Sequence, residues 1–140
     1  MQFDPNNKIV KLCAEGMTCE GEGEKNEALR LFQQAWDEST TDQEKFIAAH
    51  YVARHQASIA EKLVWDETAL QLALKINDNN VRKAYSSLYL NIGKCYEELN
   101  DFDNARKNYQ LGLSFTHLLP DDGYGKMIKG GIINGIERVK

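Results

Sequence analysis

The chain has 140 residues, 42% of them hydrophobic and 27% charged, with a net charge of −4 at neutral pH. That length suits a single domain able to bury about 70% of the surface its unfolded chain exposes, and the composition is ordinary for a soluble globular protein. The negative balance disfavours a nucleic-acid or anionic-membrane surface, since both select basic faces; residues 15–44 are acid-rich, whereas residues 124–140 hold four Lys or Arg and one Glu.

From the N-terminus, MQFDPNNKIV lacks a charged-then-apolar leader and predicts no secretory signal. No apolar run approaches the roughly 20 residues that a bilayer span needs. Asp4–Pro5–Asn6 is turn-like and delivers a first helix expected from about Asn7 to Cys19, with Ile9, Leu12, Cys13, Gly16 and Met17 on its core face. A glycine-broken acidic link, residues 20–26, leads to a second helix carrying Ala28, Leu31, Phe32, Ala35 and Trp36 at steps of three and four. Thr41 and Glu44 have capping-box spacing, so a third helix is expected from Asp42, with Phe46, Ala49, Val52 and Ala53 inward and an end near Gln56. Ser58 and Glu61 repeat that spacing and open a fourth helix with Trp65, Ala69, Leu72, Ala73 and Ile76, which stops at the turn cluster Asn77–Asp78–Asn79–Asn80.

The stretch Tyr85–Pro120 carries the clearest pattern. Leu88, Tyr89, Ile92, Tyr96 and Leu99 stripe one helix, and Phe102, Ala105, Tyr109 and Leu113 stripe the next, across the polar step Asn100–Asp101. Gly93 and Ala105 are small where two facing helices approach most closely. After a turn at Asp121–Asp122–Gly123, Ile128, Ile132, Ile133, Ile136 and Val139 predict a last helix over 123–139. It forms despite Gly130, Gly131 and Gly135, each costing about 1 kcal/mol against Ala. Those glycines are expected to be contact points for another helix backbone.

Tyr89, Ile92–Gly93, Tyr96, Leu99, Phe102, Ala105 and Tyr109 together resemble one complete tetratricopeptide repeat, large-x₂-L-G-x₂-Y followed by A-x₃-F/Y and Pro. Gly112 stands where that family usually has Ala, and Pro120 falls late, so the second helix is expected to run long. Gly16, Ala28, Phe32 and Ala35 resemble a second, weaker unit, with Glu15 and Cys19 departing from its pattern. With Ala53 as the small residue of a middle unit, the small positions lie 37 and 40 residues apart against the usual 34. The resemblance implies an all-α, right-handed α–α superhelix over one domain, 1–140. Its repeats span about 7–40, 41–78 and 80–119, and a C-terminal helix at 123–139 caps the last apolar face. The whole chain also resembles a small bacterial group that often carries an rRNA adenine methyltransferase label. The residues do not support that activity, because there is no strand-alternating segment and no Gly-rich cofactor turn after a strand.

Chemistry-bearing motifs are sparse. Cys13, Cys19 and Cys95 lack CxxC spacing and His partners, which reads as reduced, packed thiols of a cytosolic protein. Lys126 in GYGKMIKGG has neither the strand, the glycine spacing nor the following Ser or Thr of a phosphate loop. His50 and Arg54 are i, i+4 with His55 to the side, so the paired His and adjacent Glu of a zinc protease are missing. No Ser or Cys sits with a recognisable base, and the expectation is a non-enzyme without cofactor or metal.

In tetratricopeptide arrays the first helix of each pair lines the concave groove. The resemblance therefore implies a groove with His50, Tyr51 and Arg54 from the middle unit and Leu90, Asn91, Lys94 and Glu98 from the last. Arg and Lys hold carboxylates, Asn holds a peptide backbone and Tyr supplies an anchoring ring. This resembles the carboxylate clamp of some family members, although Ser87 and Asn91 stand where the clamp's third repeat has basic residues. The function implied is a cytoplasmic scaffold binding a protein or peptide segment, with no nucleic-acid or membrane partner. The alternatives are a self-associating structural protein, such as a homodimer, or a small enzyme using His50 or His55.

Overall fold

The computed structural model describes residues 3–140. Every element in them is helical, and the chain divides into two compact units, 3–76 and 77–140. The first unit holds α1 (Lys8–Gly21), α2 (Lys25–Glu38), α3 (Asp42–Val52) and α4 (Ile59–Lys75). The second holds α5 (Asn79–Arg82), α6 (Tyr85–Glu98), α7 (Phe102–Ser114) and α8 (Gly123–Arg138). Seven of these are helices of 11 residues or more, as expected, and the eighth, α5, has only four residues. It lies in the Asn77–Asn80 cluster that the turn signals marked as loop. There the Asp78 carboxylate accepts from the Asn80 N–H at 2.7 Å and caps a single helical turn.

Local sequence accounts for each boundary in the first unit. Asn7 caps α1, its Oδ1 accepting from the N–H groups of Ile9 and Val10 at 2.8 and 3.1 Å. Its amide donates to Glu44 Oε2 at 2.9 Å, tying the start of α1 to the start of α3. Glu44 also closes the Thr41 capping box, so one side chain serves two helix N-termini. Four groups donating to Glu44 hold its carboxyl below the ordinary range, with the Thr40 backbone first. Ser58 caps α4 by accepting from Glu61 N–H at 3.1 Å. Between α3 and α4 the chain makes one 3₁₀ turn, Ala53–His55, which ends the third helix four residues before Gln56.

The core of this unit mixes Phe32, Phe46, Ile9, Cys13 and Val52 with Ala28, Ala35, Ala48, Ala49, Ala69 and Ala73. Small residues at so many crossings let the helices pack closely. A Cβ at Gly16 would overlap the Phe32 ring, so glycine there is required by the aromatic seated against it.

The second unit repeats the device. Tyr109 is fully buried, and a Cβ at Gly93 would come within 2.6 Å of its ring. Asn100 takes the left-handed conformation (φ 62°) at the α6–α7 turn, and Asp101 caps α7 through the Asn104 N–H at 3.2 Å. α7 stops at Ser114 and a 3₁₀ turn, Thr116–Leu118, fills the space before Pro120, so the helix does not run long.

α8 lays Ile128, Ile132 and Val139 on Leu90, Ala105 and Tyr109. Gly135 passes 2.6 Å from the Tyr109 ring and Gly131 3.3 Å from Leu90, measured from the Cβ each would carry. The contacts at these glycines are thus with side chains, not with another helix backbone. Gly130 faces open space. Arg106 fastens the far end of α8, donating through its guanidinium to the Val139 carbonyl at 2.7 and 3.0 Å.

Helix starts set the register of the middle pair. α1 and α3 begin at Lys8 and Asp42, 34 residues apart, and α2 and α4 at Lys25 and Ile59, also 34 apart. α6 and α7 begin 43 residues after α3 and α4, the excess being the segment that contains α5. In this register the ninth residue of the first helix is Gly16, His50 or Gly93, and the aromatic it meets is Phe32 or Tyr109, with Asp66 at the middle position. Ala53, expected at the small position, lies instead in the 3₁₀ turn. Residue spacing alone misplaced it because the middle pair has exchanged glycine and aromatic for a buried polar pair.

Candidate partner-binding site

Each unit carries residues singled out by the sequence, and the two sets are separate constellations. In the first unit, Tyr51 on α3 stacks on Phe32 with centroids 5.1 Å apart and rings inclined by 23°. The Arg54 guanidinium carbon sits 5.4 Å from the Tyr51 centroid on the 3₁₀ turn, a cation–π contact, and its side chain remains 47% exposed. Arg54 Nε also lies 3.4 Å from Glu20 Oε2, and the same oxygen is 2.6 Å from His55 Nε2. His55 stacks in turn on Phe32, centroids 6.1 Å apart and rings within 5° of parallel. Glu20 thus ends α1 beneath two basic side chains, and Phe32 carries two flat rings. Burial pushes the Tyr51 phenol up, with a smaller opposing pull from Arg54.

His50 behaves differently from its neighbours. Its ring meets Tyr51 edge-on at 5.4 Å, and its Nδ1 is buried without a hydrogen-bond partner among the described residues. Burial lowers its pKa first of all, Asp66 opposes, and Arg54 and Lys62 reinforce the lowering. Asp66 is itself buried, with Lys62 Nζ 2.6 Å from its Oδ2. His50 as a whole is half-buried, and its inward, unpartnered Nδ1 and lowered pKa favour the neutral ring.

In the second unit Asn91, Lys94 and Glu98 share one face of α6 at steps of three and four. Asn91 is half-buried, Lys94 and Glu98 are exposed, and none of them makes an ion pair or side-chain hydrogen bond among the described residues. Leu90, expected beside them, is 5% exposed and belongs to the core under α8. The adjacent carboxylate, Glu97, is engaged within the unit. It accepts from the Tyr109 hydroxyl at 2.7 Å and from Arg138 at 2.9 and 3.1 Å, and Arg138 holds its pKa down, with Lys94 close enough to help lower it.

Glu20 and Glu97 were missed by sequence reasoning, yet the 34- and 43-residue offsets put Glu20, Arg54 and Glu97 at one register position. That shared position was the available signal. Cys13 and Cys95 are buried, Cys19 is half-buried, and none of the three forms a disulfide among the described residues. Burial pushes the Cys13 thiol up to about 12, which keeps it from acting as a nucleophile near neutral pH. No group of three or more His, Cys, Asp or Glu positioned to hold a metal occurs among the described residues, and no helix among them is long and apolar enough to cross a membrane.

No curated protein matches the chain. Residues 86–115, from the first turn of α6 to the end of α7, match the family model for the tetratricopeptide repeat. With the all-helical, paired architecture around it, that match fits a tetratricopeptide-like helical-repeat protein.

Proposed function

We propose that the protein is a non-enzymatic interaction scaffold that holds a protein or peptide segment against the exposed face of α6, the first helix of its matched repeat. The observation that carries this reading is the α6 face of the matched repeat, where Asn91, Lys94 and Glu98 stand together with no partner of their own among the described residues. An amide, an ammonium and a carboxylate at helical spacing suit an extended backbone with charged side chains. In the first unit, by itself, Arg54 offers a half-exposed guanidinium on Tyr51 and shares Glu20 with His55. Three cysteines outside any disulfide among the described residues, two of them buried, support a reducing, cytosolic setting.

The test is capture of partners from the native cell by the tagged protein, repeated with Lys94→Ala and Asn91→Ala. Both sites are away from the core, so circular dichroism should be unchanged. A partner found by mass spectrometry should be lost from both variants. Retention of every partner by the double variant would refute that face.

A further inference from the structure

The first unit carries a groove of about 470 Å³ that the second helices α2 and α4 line with one residue of α3. Trp36 of α2, Lys45 of α3 and Val64, Leu72 and Lys75 of α4 line it. Val64 lies 62% exposed, an apolar, β-branched residue on a helix face that packing within the chain leaves uncovered. Val64, Thr68 and Leu72 follow one another at four-residue steps and form a ridge along α4, the geometry that a second helix packs against. The Thr68 hydroxyl donates back to the Val64 carbonyl at 2.7 Å, so it makes no demand on the groove.

The charges at its border select the occupant. Neither Lys45 nor Lys75 makes an ion pair among the described residues, and of the unpaired lysines of this unit, which also include Lys11 and Lys25, these two line the groove. Glu67, the carboxylate of the lining, is not free. Two unpaired ammonium groups beside an exposed apolar ridge, in a chain of net charge −4, make this a local positive site with an apolar floor. We propose that it is a second docking surface, shaped for an amphipathic helix of a partner protein with carboxylates flanking its apolar stripe. The apolar stripe lies on Val64, Leu72 and Trp36, and the carboxylates meet Lys45 and Lys75. This surface shares no residue with the α6 face that holds Asn91 and Lys94, and its occupancy does not depend on that reading.

The chain supplies its own reporter. Its two tryptophans are Trp36, in the lining, and Trp65, edge-on to it at 5.1 Å and 89°. The full-length protein is panned against a phage-displayed library of amphipathic helices with randomised flanks, and enriched peptides are titrated by tryptophan emission. The expected outcome is enrichment of Asp and Glu over Lys and Arg beside the apolar stripe, with an emission change on binding. Val64→Glu and the pair Lys45→Glu/Lys75→Glu should each weaken binding about tenfold or more, while Lys45→Arg/Lys75→Arg and Lys94→Ala leave it unchanged. Thermal midpoints of all variants should match the parent's, since the altered side chains are solvent-facing or at the groove border. No enrichment, enrichment without acidic bias, or equal binding to Val64→Glu would each overturn the proposal. Concentration-dependent self-association that Val64→Glu abolishes, with no acidic helix recovered, would overturn it in favour of a second copy of the chain.

Discussion

The Tyr109 hydroxyl donates to Glu97 at 2.7 Å, and through that carboxylate α7 is joined to Arg138 on α8. The phenol ring below it is wedged between Gly93 and Gly135, so one residue sets the spacing of three helices. Burial, then Glu97, raises the Tyr109 pKa. A raised folded-state pKa contributes stability below the unfolded value, and that stability is lost as pH rises past it. Tyr109 is expected to ionise only well above the ordinary tyrosine range in a spectrophotometric alkaline titration, and Tyr109→Phe should remove that late component. Tyr109→Phe should cost about 1 kcal/mol in urea unfolding, because Glu97 keeps Arg138 and is not left unpaired.

Glycines in this chain divide by what a methyl group would meet. Gly93→Ala drives a Cβ to 2.6 Å from the Tyr109 ring and is expected to destabilise by about 1–3 kcal/mol. Gly130→Ala puts a Cβ into open space within a helix and should stabilise by up to about 1 kcal/mol. Opposite shifts of the unfolding midpoint for two identical substitutions would check the packing directly.

The lowered pKa of His50 makes acid a specific stress. A group whose folded pKa is depressed below 6.5 leaves stability intact above that value and removes it as pH falls toward the folded pKa. Unfolding free energy is expected to decline below about pH 6.5, because charging His50 requires an ion where its Nδ1 has no partner. His50→Gln, which does not titrate, should flatten that segment of the stability–pH curve, measured by urea unfolding.

Glu20 couples three side chains near the end of α1. A double-mutant cycle of Glu20→Gln and His55→Ala should show a coupling of about 1 kcal/mol, since the 2.6 Å contact lies between two largely buried groups. Glu20→Gln also weakens the hold on Arg54, which is 3.4 Å away. A coupling near zero would mean that the Phe32–His55 stack, and not Glu20, positions the imidazole.

The helices, their caps and their pairing were legible in the residues themselves, because these are local properties. The Thr41–Glu44 capping box, the Ser58 cap and the three-and-four spacing of apolar side chains act within a few residues, whereas Asn7 reads as the start of α1 and only the structure makes it the cap. The repeat at Tyr85–Pro120 was legible for the same reason, its small and aromatic positions being a fixed distance apart. What needed the tertiary structure was the middle pair and the second-helix groove. His50 and Asp66 replaced glycine and aromatic, so no spacing rule could find them until the helix starts at Asp42 and Ile59 set the register. Likewise Leu90 reads as a groove residue from its helix face, but α8 returns from 40 residues away to cover it. Which face of a helix is buried depends on the elements packed against it, and that is a property of the folded chain rather than of any one stretch.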